Sequence, residues 1–487
     1  MCEAESAEDA DYAAMRELRR RLFVVAMTVS TAHCAWAQSS APSLQDLPQT
    51  RSLPPQEAAA ERNPPPSRYL ETALLGDRGI DTFGWLAVGV GANNWGTPFN
   101  GTITFSDRNW QVMMNQLYLV NERTLDADRG DWDIGGRIDL LYGTDAVFTT
   151  AAGLDAYDYG SFNSFFVPRW NSSKYYGLAM PQLYADVGTG DLALRFGHFY
   201  TIIGYEVVPA VGDFFYTICN TFQYGEPFTH TGMLSTWTPN EQLVTYAGIV
   251  NGWDNWDSGT PSYVTSRQPG YDDNAGFLGG ITLRSSDESQ SLSLTTYTGN
   301  VPSGTGSDPI QAISANRSYA SVVYTNELSD RLTWVLQHDA GWQFGLPDGL
   351  YPTVSGQQPG LAQWYGFVNY LFWKFDDHIT GGMRVEYFRD NNGFRVVTPL
   401  RNADSQEQPA GDVATTGFQG NFWELTFGIN YRANANWMIR PELRYDWYTP
   451  DRRGGPLPFG GPIGRVANAS GTEYGQFYGG GDVIFQF

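Results

Sequence analysis

The chain has 487 residues, with 52 acidic against 30 basic and a formal charge of -22, a balance that excludes a general nucleic-acid binder, whose footprint is basic. Mean hydropathy is -0.34, and beyond the N-terminal region no apolar run approaches the roughly 20 residues of a membrane-spanning helix. Aromatics make up 15%, Gly counts 54, and Lys occurs only at Lys174 and Lys374, a composition that suits strands with large aromatic surfaces better than helices.

At the N-terminus, Arg16, Arg19, Arg20 and Arg21 precede the apolar stretch Leu22 to Ala32, and Ala35-Trp36-Ala37 follows as a small-x-small pattern. Positive region, apolar run and cleavage site in that order predict a cleaved secretory signal over 1–37, with an over-extended start before Met15. Cys2 and Cys34 fall in the removed part, which leaves Cys219 alone, so neither a disulfide nor a Cys-x-x-Cys metal site is expected. Residues 38–80 carry Pro42, Pro48, Pro54, Pro55, Pro64, Pro65 and Pro66 among Ser, Gln and Ala. That composition predicts a disordered periplasmic arm, leaving 81–487 as the folded domain.

From Phe83 onward the chain breaks into sixteen segments with period-2 alternation. Their cores are 83–92, 110–121, 132–143, 180–187, 191–199, 230–238, 242–251, 276–284, 290–299, 317–326, 331–342, 362–374, 378–390, 419–432, 436–448 and 475–487. Connections alternate in length. Gly188-Thr189-Gly190, Pro239-Asn240-Glu241 and Ala433-Asn434-Ala435 are short, while 144–179, 200–229, 252–275 and 391–418 are long. In an up-and-down sheet this rhythm places every long loop on one rim, as in outer-membrane barrels.

The faces say which solvent lies outside. Trp423, Leu425, Phe427, Ile429 and Tyr431 alternate with Glu424, Thr426, Asn430 and Arg432, and Trp437, Ile439, Leu443, Tyr445 and Trp447 with Met438, Arg440, Glu442, Arg444 and Asp446. Aromatics at both ends of an aliphatic stripe fit two interfacial girdles around a hydrocarbon band. Charges on the other face require water in a lumen. The fold class predicted is therefore all-β, a closed up-and-down antiparallel transmembrane β-barrel of about 16 strands (14–18). A soluble β-sandwich explains the alternation but neither the girdles nor the rhythm. Pro441 cannot donate to a ladder, and a bulge is expected there.

The final segment, Tyr478 to Phe487, alternates and ends the chain on Phe. Val483, Phe485 and Phe487 look like the C-terminal signal that barrel-assembly machinery reads in bacterial outer-membrane proteins. More narrowly, residues 84–487 resemble the OmpL-like outer-membrane porin family through Gly84-Trp85-Leu86, Pro181-Gln182-Leu183-Tyr184-Ala185, Leu194-Arg195-Phe196-Gly197-His198-Phe199, Gly204-Tyr205-Glu206 and Pro227-Phe228-Thr229-His230-Thr231-Gly232. The resemblance implies a passive, water-filled channel in a bacterial outer membrane.

A pore's selectivity comes from the charges at its narrowest point. Candidates on the inward face are Arg137, Asp139, Arg195, Arg384, Glu386, Arg432, Arg440, Glu442 and Arg444. In porins of this size a long loop commonly folds inward, and by order it is 200–229, with Glu206, Asp213 and Glu226; these acids are expected to face the wall arginines across an eyelet. Loop 144–179 is a second candidate for the same role. Asp126 to Asp131 lacks the pattern and terminal Glu of a calcium loop and reads as an acidic solvated turn. Trp253-Asp254-Asn255-Trp256-Asp257 suits girdle and loop packing better than sugar stacking. No nucleophile has a positioned base, so no enzyme, metal or cofactor is expected. Expected partners are outer-membrane lipid, small polar solutes and ions, the assembly machinery and, by analogy, two further copies in a homotrimer. The alternatives are a plugged structural barrel or anchor and a secreted soluble carbohydrate-binding protein.

Overall fold

Alternating segments become strands because a pleated chain sends successive side chains to opposite faces. The computed structural model describes residues 79–126, 132–151, 153–155, 170, 175–256, 275–303, 313–344, 360–396, 417–451, 457–460 and 471–487. The strands are β1 (Asp81–Asn93), β2 (Met113–Arg123), β3 (Asp133–Gly143), β4 (Gly177–Thr189), β5 (Leu192–Tyr200), β6 (Thr229–Asn240), β7 (Leu243–Val250), β8 (Gly276–Arg284), β9 (Gln290–Ser303), β10 (Ile313–Ser329), β11 (Leu332–Gln343), β12 (Ala362–Lys374), β13 (Ile379–Asp390), β14 (Gly420–Arg432), β15 (Trp437–Pro450) and β16 (Gly475–Gln486).

Each strand pairs antiparallel with its sequence neighbours, and β1 closes on β16 from Trp85 opposite Gln486 to Asn93 opposite Tyr478. Closure satisfies backbone groups where lipid offers no partner and leaves no sheet edge. The expected barrel is found with all sixteen strands, shifted only at their ends, and the sandwich alternative is excluded. The predicted leader at 1–37, nearly all of the arm at 38–80 and the turn residues 127–131 lie outside the described residues.

The two faces separate as the alternation requires. On β15, Trp437, Ile439, Pro441 and Leu443 are exposed and Met438, Arg440, Glu442 and Arg444 buried, without interruption. Outward aromatics Trp132, Trp237, Trp373, Phe375, Tyr431 and Trp437 form an exposed belt at the short-turn rim, suited to a membrane interface. Ile134, Ile138, Phe427, Ile429, Ile439 and Leu443 are exposed above it, an apolar band too extensive to leave in water.

The bulge expected at Pro441 is absent. Gly428 pairs with Glu442 and Tyr431 with Ile439 in one continuous register, and the pairing lapses only in the two positions between. A missing N–H is accommodated by omitting a rung, which needs no extra residue. At the C-terminus, Val483 is exposed on the outer face, Phe485 packs on Trp437 with ring centroids 4.6 Å apart, and Phe487 exchanges two backbone hydrogen bonds with Gly84, 2.9 Å each.

Candidate functional site

The loop between β5 and β6, residues 201–228 and here called L3, folds inside the barrel. It is rich in small and aromatic residues, and most of its side chains are buried against the inner wall. A loop placed there exposes N–H and C=O groups that no sheet ladder can satisfy, and each needs a partner. The inward charges of the wall supply them.

Glu442 on β15 accepts the N–H groups of Tyr216 (2.9 Å) and Thr217 (3.2 Å) and the Thr217 hydroxyl. Glu386 on β13 does the same for Asn220 (2.8 Å), Thr221 (2.5 Å) and the Thr221 hydroxyl, at the start of a single π-helical turn, Thr221–Gly225. Arginines satisfy the carbonyls. Arg384 donates to Thr217 O (2.8 Å), Arg444 to Ile218 O (2.7 Å), and Arg440 to Ala210 O (2.8 Å) and Asp213 O (2.7 Å). On β2, Gln116 donates to Val208 O and accepts from Ala210 N–H.

Ion pairs close the network. Arg384 bridges Glu206 of L3 (2.5 Å) and Glu424 of β14 (2.6 Å), Arg444 pairs with Glu424 (3.2 Å) and Asp446 (2.8 Å), and Arg440 with Asp482 (2.7 Å). Glycines on the wall make the close approach feasible: a Cβ at Gly382 would strike the Phe214 ring, and one at Gly366 the Thr221 side chain.

The loop acids and wall arginines do not face each other across a gap. Glu206 touches Arg384 directly. The Asp213 carboxylate accepts the Val207 N–H of its own loop (2.9 Å). Among the described residues Glu226 meets no arginine but Gln337 (2.5 Å), whose amide also donates to Asp339 (2.7 Å). Burial pushes the Asp213 carboxyl well up, helped by the Glu206 charge, and burial beside Asp339 does the same to Glu226. A dry seam between loop and wall favours paired or neutral groups, which is why these acids are found engaged.

The remaining candidates lie on the wall of β3 to β5 and at the short-turn rim. Arg137 holds Asp139 with two hydrogen bonds (2.7 and 3.0 Å) and pairs with Glu122 at 3.4 Å. Arg195 holds Asp186 at 3.0 Å and lies over the Tyr184 ring at 3.7 Å. These side chains keep between 13% and 22% of their surface open, Asp139 apart. Arg432 is half-buried and contacts the Met438 sulfur at 3.6 Å. Sequence reasoning missed Gln116, Gln337, Asp339 and Asp482 as anchoring residues, although strand parity puts each on the inward face. Trp253 is buried against Tyr297, Tyr319 and Trp364, as loop packing requires. Among the described residues no group of three or more His, Cys, Asp or Glu could hold a metal.

Asp145, at the end of β3, completes the anchor beside β2: it accepts from Asn115 (3.1 Å), Gln116 (2.9 Å) and Thr144 (3.2 Å). Burial pushes its carboxyl up to about 7 against those stabilising bonds. The folded state therefore holds the proton more tightly than the unfolded chain, so stability falls as pH rises from about 4 to about 7 and is level above. Asp145→Asn is expected to flatten this dependence by about 4 kcal/mol. Urea unfolding of both proteins at pH 4, 6 and 8 checks it; parallel curves would rule it out.

A family model described as "Putative beta-barrel porin-2, OmpL-like" matches residues 79–487. Among solved structures, the outer membrane channel DcaP of Acinetobacter baumannii is similar at a TM-score of 0.50 and 9% identity, over 84% of this chain and 97% of that one. An anion-selective porin from Comamonas acidovorans is similar at 0.52 and 8%, over 84% and 99%. At these identities the likeness is one of fold. Comparison with curated proteins found no match.

Proposed function

Because the chain belongs to the beta-barrel porin-2, OmpL-like family, we propose that it is a non-enzymatic outer-membrane porin through which ions and small polar solutes diffuse passively beside a fixed L3. One observation carries this reading: inward charges on β2 to β5, Glu122, Arg137, Asp186 and Arg195, retain solvent contact inside a closed barrel, and such groups need water around them. The lumen charges divide into two jobs. Arg384, Glu386, Arg440, Glu442, Arg444, Glu206, Asp213 and Glu226 hold L3 and so set the width. Arg137, Arg195 and Arg432 face the solute path and set its charge preference, while Asp139, buried under Arg137, orients that arginine.

Single-channel conductance of residues 38–487, refolded in detergent and added to a planar bilayer with unequal salt, tests the porin reading. Stepwise ohmic openings are expected. Silence from a folded, inserted barrel favours the second reading, a plugged anchor, which the packing of L3 residues into two buried hydrophobic clusters supports. The division of labour is tested separately. Arg195→Gln with Arg137→Gln should move the reversal potential toward cations, whereas Asp213→Asn with Glu226→Gln should leave it in place. The opposite pattern would return selectivity to the loop.

A further inference from the structure

Most of L3 is held to the wall by groups of opposite charge or by charge on a backbone group, but its last residues reach β11 through two acids. Glu226, immediately after the π-helical turn, and Asp339 of β11 are both buried, and Nε2 of the buried Gln337 donates to Glu226 Oε1 (2.5 Å) and to Asp339 Oδ2 (2.7 Å). Among the described residues neither carboxylate is ion-paired; their partners are Gln337, Tyr319 and Ser321. The first limb of L3 crosses at the same point. Gly204 has a φ of 87°, and a Cβ there would strike the Glu226 carboxylate, so glycine is what lets the two limbs close together here.

The protein solvates the two acids unequally. Asp339 accepts from the Tyr319 hydroxyl (2.8 Å), the Ser321 hydroxyl (2.6 Å) and Gln337, whereas Glu226 accepts from Gln337 alone and its Oε2 is buried without a donor. Three donors favour the ionised form of Asp339, and an oxygen with none favours a proton on Glu226. Two uncompensated charges on one amide in a buried seam are too costly, so the pair keeps one proton. The other ionisable groups around Glu226 do not take its place. Glu206 of the first limb adds a like charge and is held by Arg384, the Cys219 thiol is buried, and Tyr319 is committed to Asp339. Of the arginines that reach L3 from β13 and the loop after it, Arg384 lies on Glu206 and Glu424, and Arg395 donates to the Tyr224 carbonyl (2.5 Å).

We propose that Glu226 and Asp339 form a proton-operated latch, in which one proton held between the two carboxyls clamps the second limb of L3 to β11, and its loss to alkaline solvent frees that limb and widens the lumen. Burial and the Asp339 charge push the Glu226 carboxyl up, so the clamped loop binds the proton more tightly than a released one. The clamp is complete at low pH and is lost as pH rises through that raised value. Its purpose rests on the channel reading, but release of L3 is measurable in a barrel that does not conduct.

Cys219 of L3 is the sole thiol of residues 38–487 and is fully buried, so its rate of reaction with methyl methanethiosulfonate reports release. In the refolded protein that rate is divided by the rate in Glu226→Gln, which keeps a donor for Asp339 and cannot ionise; the ratio cancels the ordinary gain of thiolate with pH. It is expected near one at about pH 6 and about tenfold higher at about pH 9. Burial and neighbouring acids, Glu226 among them, hold the Cys219 thiol up, so ionising Glu226 would by itself slow the reaction, and a faster one measures opening. Asp339→Asn, which removes the other charge, should behave as Glu226→Gln does, while Asp377→Asn, on an exposed turn, should behave as the wild type. The heat-dependent gel shift of folded barrels verifies that each variant is closed. A ratio that stays at one, or a wild-type rise in Asp339→Asn, would overturn the proposal. Conductance with a flat ratio removes the latch alone, and a rising ratio in a silent barrel removes the channel reading alone.

Discussion

Arg384→Met is expected to destabilise the folded barrel by about 3–5 kcal/mol, the usual cost of stripping one partner from a buried ion pair. The guanidinium is fully buried and joins Glu206 of L3 to Glu424 of β14 while donating to the Thr217 carbonyl. Methionine fills much of the volume but leaves two carboxylates facing each other with no cation between them except Arg444 at 3.2 Å from Glu424. Urea unfolding of the barrel in lipid measures the loss, and open-channel current should become noisier as L3 works loose. Adding Glu206→Gln to Arg384→Met should recover part of the stability, because it removes one of the orphaned charges. An unchanged unfolding midpoint for the single variant would show that the bridge contributes nothing net.

Removing the two carboxylates that hold L3 by its backbone, Glu386→Ala with Glu442→Ala, should act differently. Together they accept the N–H groups of Tyr216, Thr217, Asn220 and Thr221, and hydrogen bonds to charged groups contribute about 1.5–3 kcal/mol each. The strand ladder uses none of these side chains, so the barrel should still close while L3 swings away from the wall. Conductance and the size limit for neutral sugars, read by liposome swelling, should rise severalfold. A folded double variant with unchanged conductance would mean that the arginine–carbonyl bonds and the aromatic packing of L3 suffice to hold it.

These two expectations mark the line between what was legible and what was not. The inward parity of Arg384, Glu386, Arg440, Glu442 and Arg444 follows from alternation alone, because the side-chain period of a strand is local and a one-residue slip would turn every charge into lipid. The position of L3 in the chain follows from the order of long and short connections. Its partners do not. Glu206 and Arg384 are 178 residues apart, and Tyr216 and Glu442 are 226; nothing local says that they meet. The expectation of charges opposed across a gap treated L3 as a row of side chains, whereas the folded loop is first a set of buried N–H and C=O groups demanding partners.

Pro441 gives the same lesson on a smaller scale. Sequence flags a residue that cannot donate, but whether the sheet answers with a bulge or a missing rung depends on the neighbouring strands, and here the register runs through unbroken.

The sequence by itself determined an all-β chain of sixteen alternating strands, their inward and outward faces and the rim that bears the long loops, all from periodicities within about ten residues. Only the tertiary structure decided which inward charges anchor the loop and which keep contact with water. Closing the barrel brings strands that are distant in sequence to one loop, and the energy of a charge depends on the partners and solvent found there.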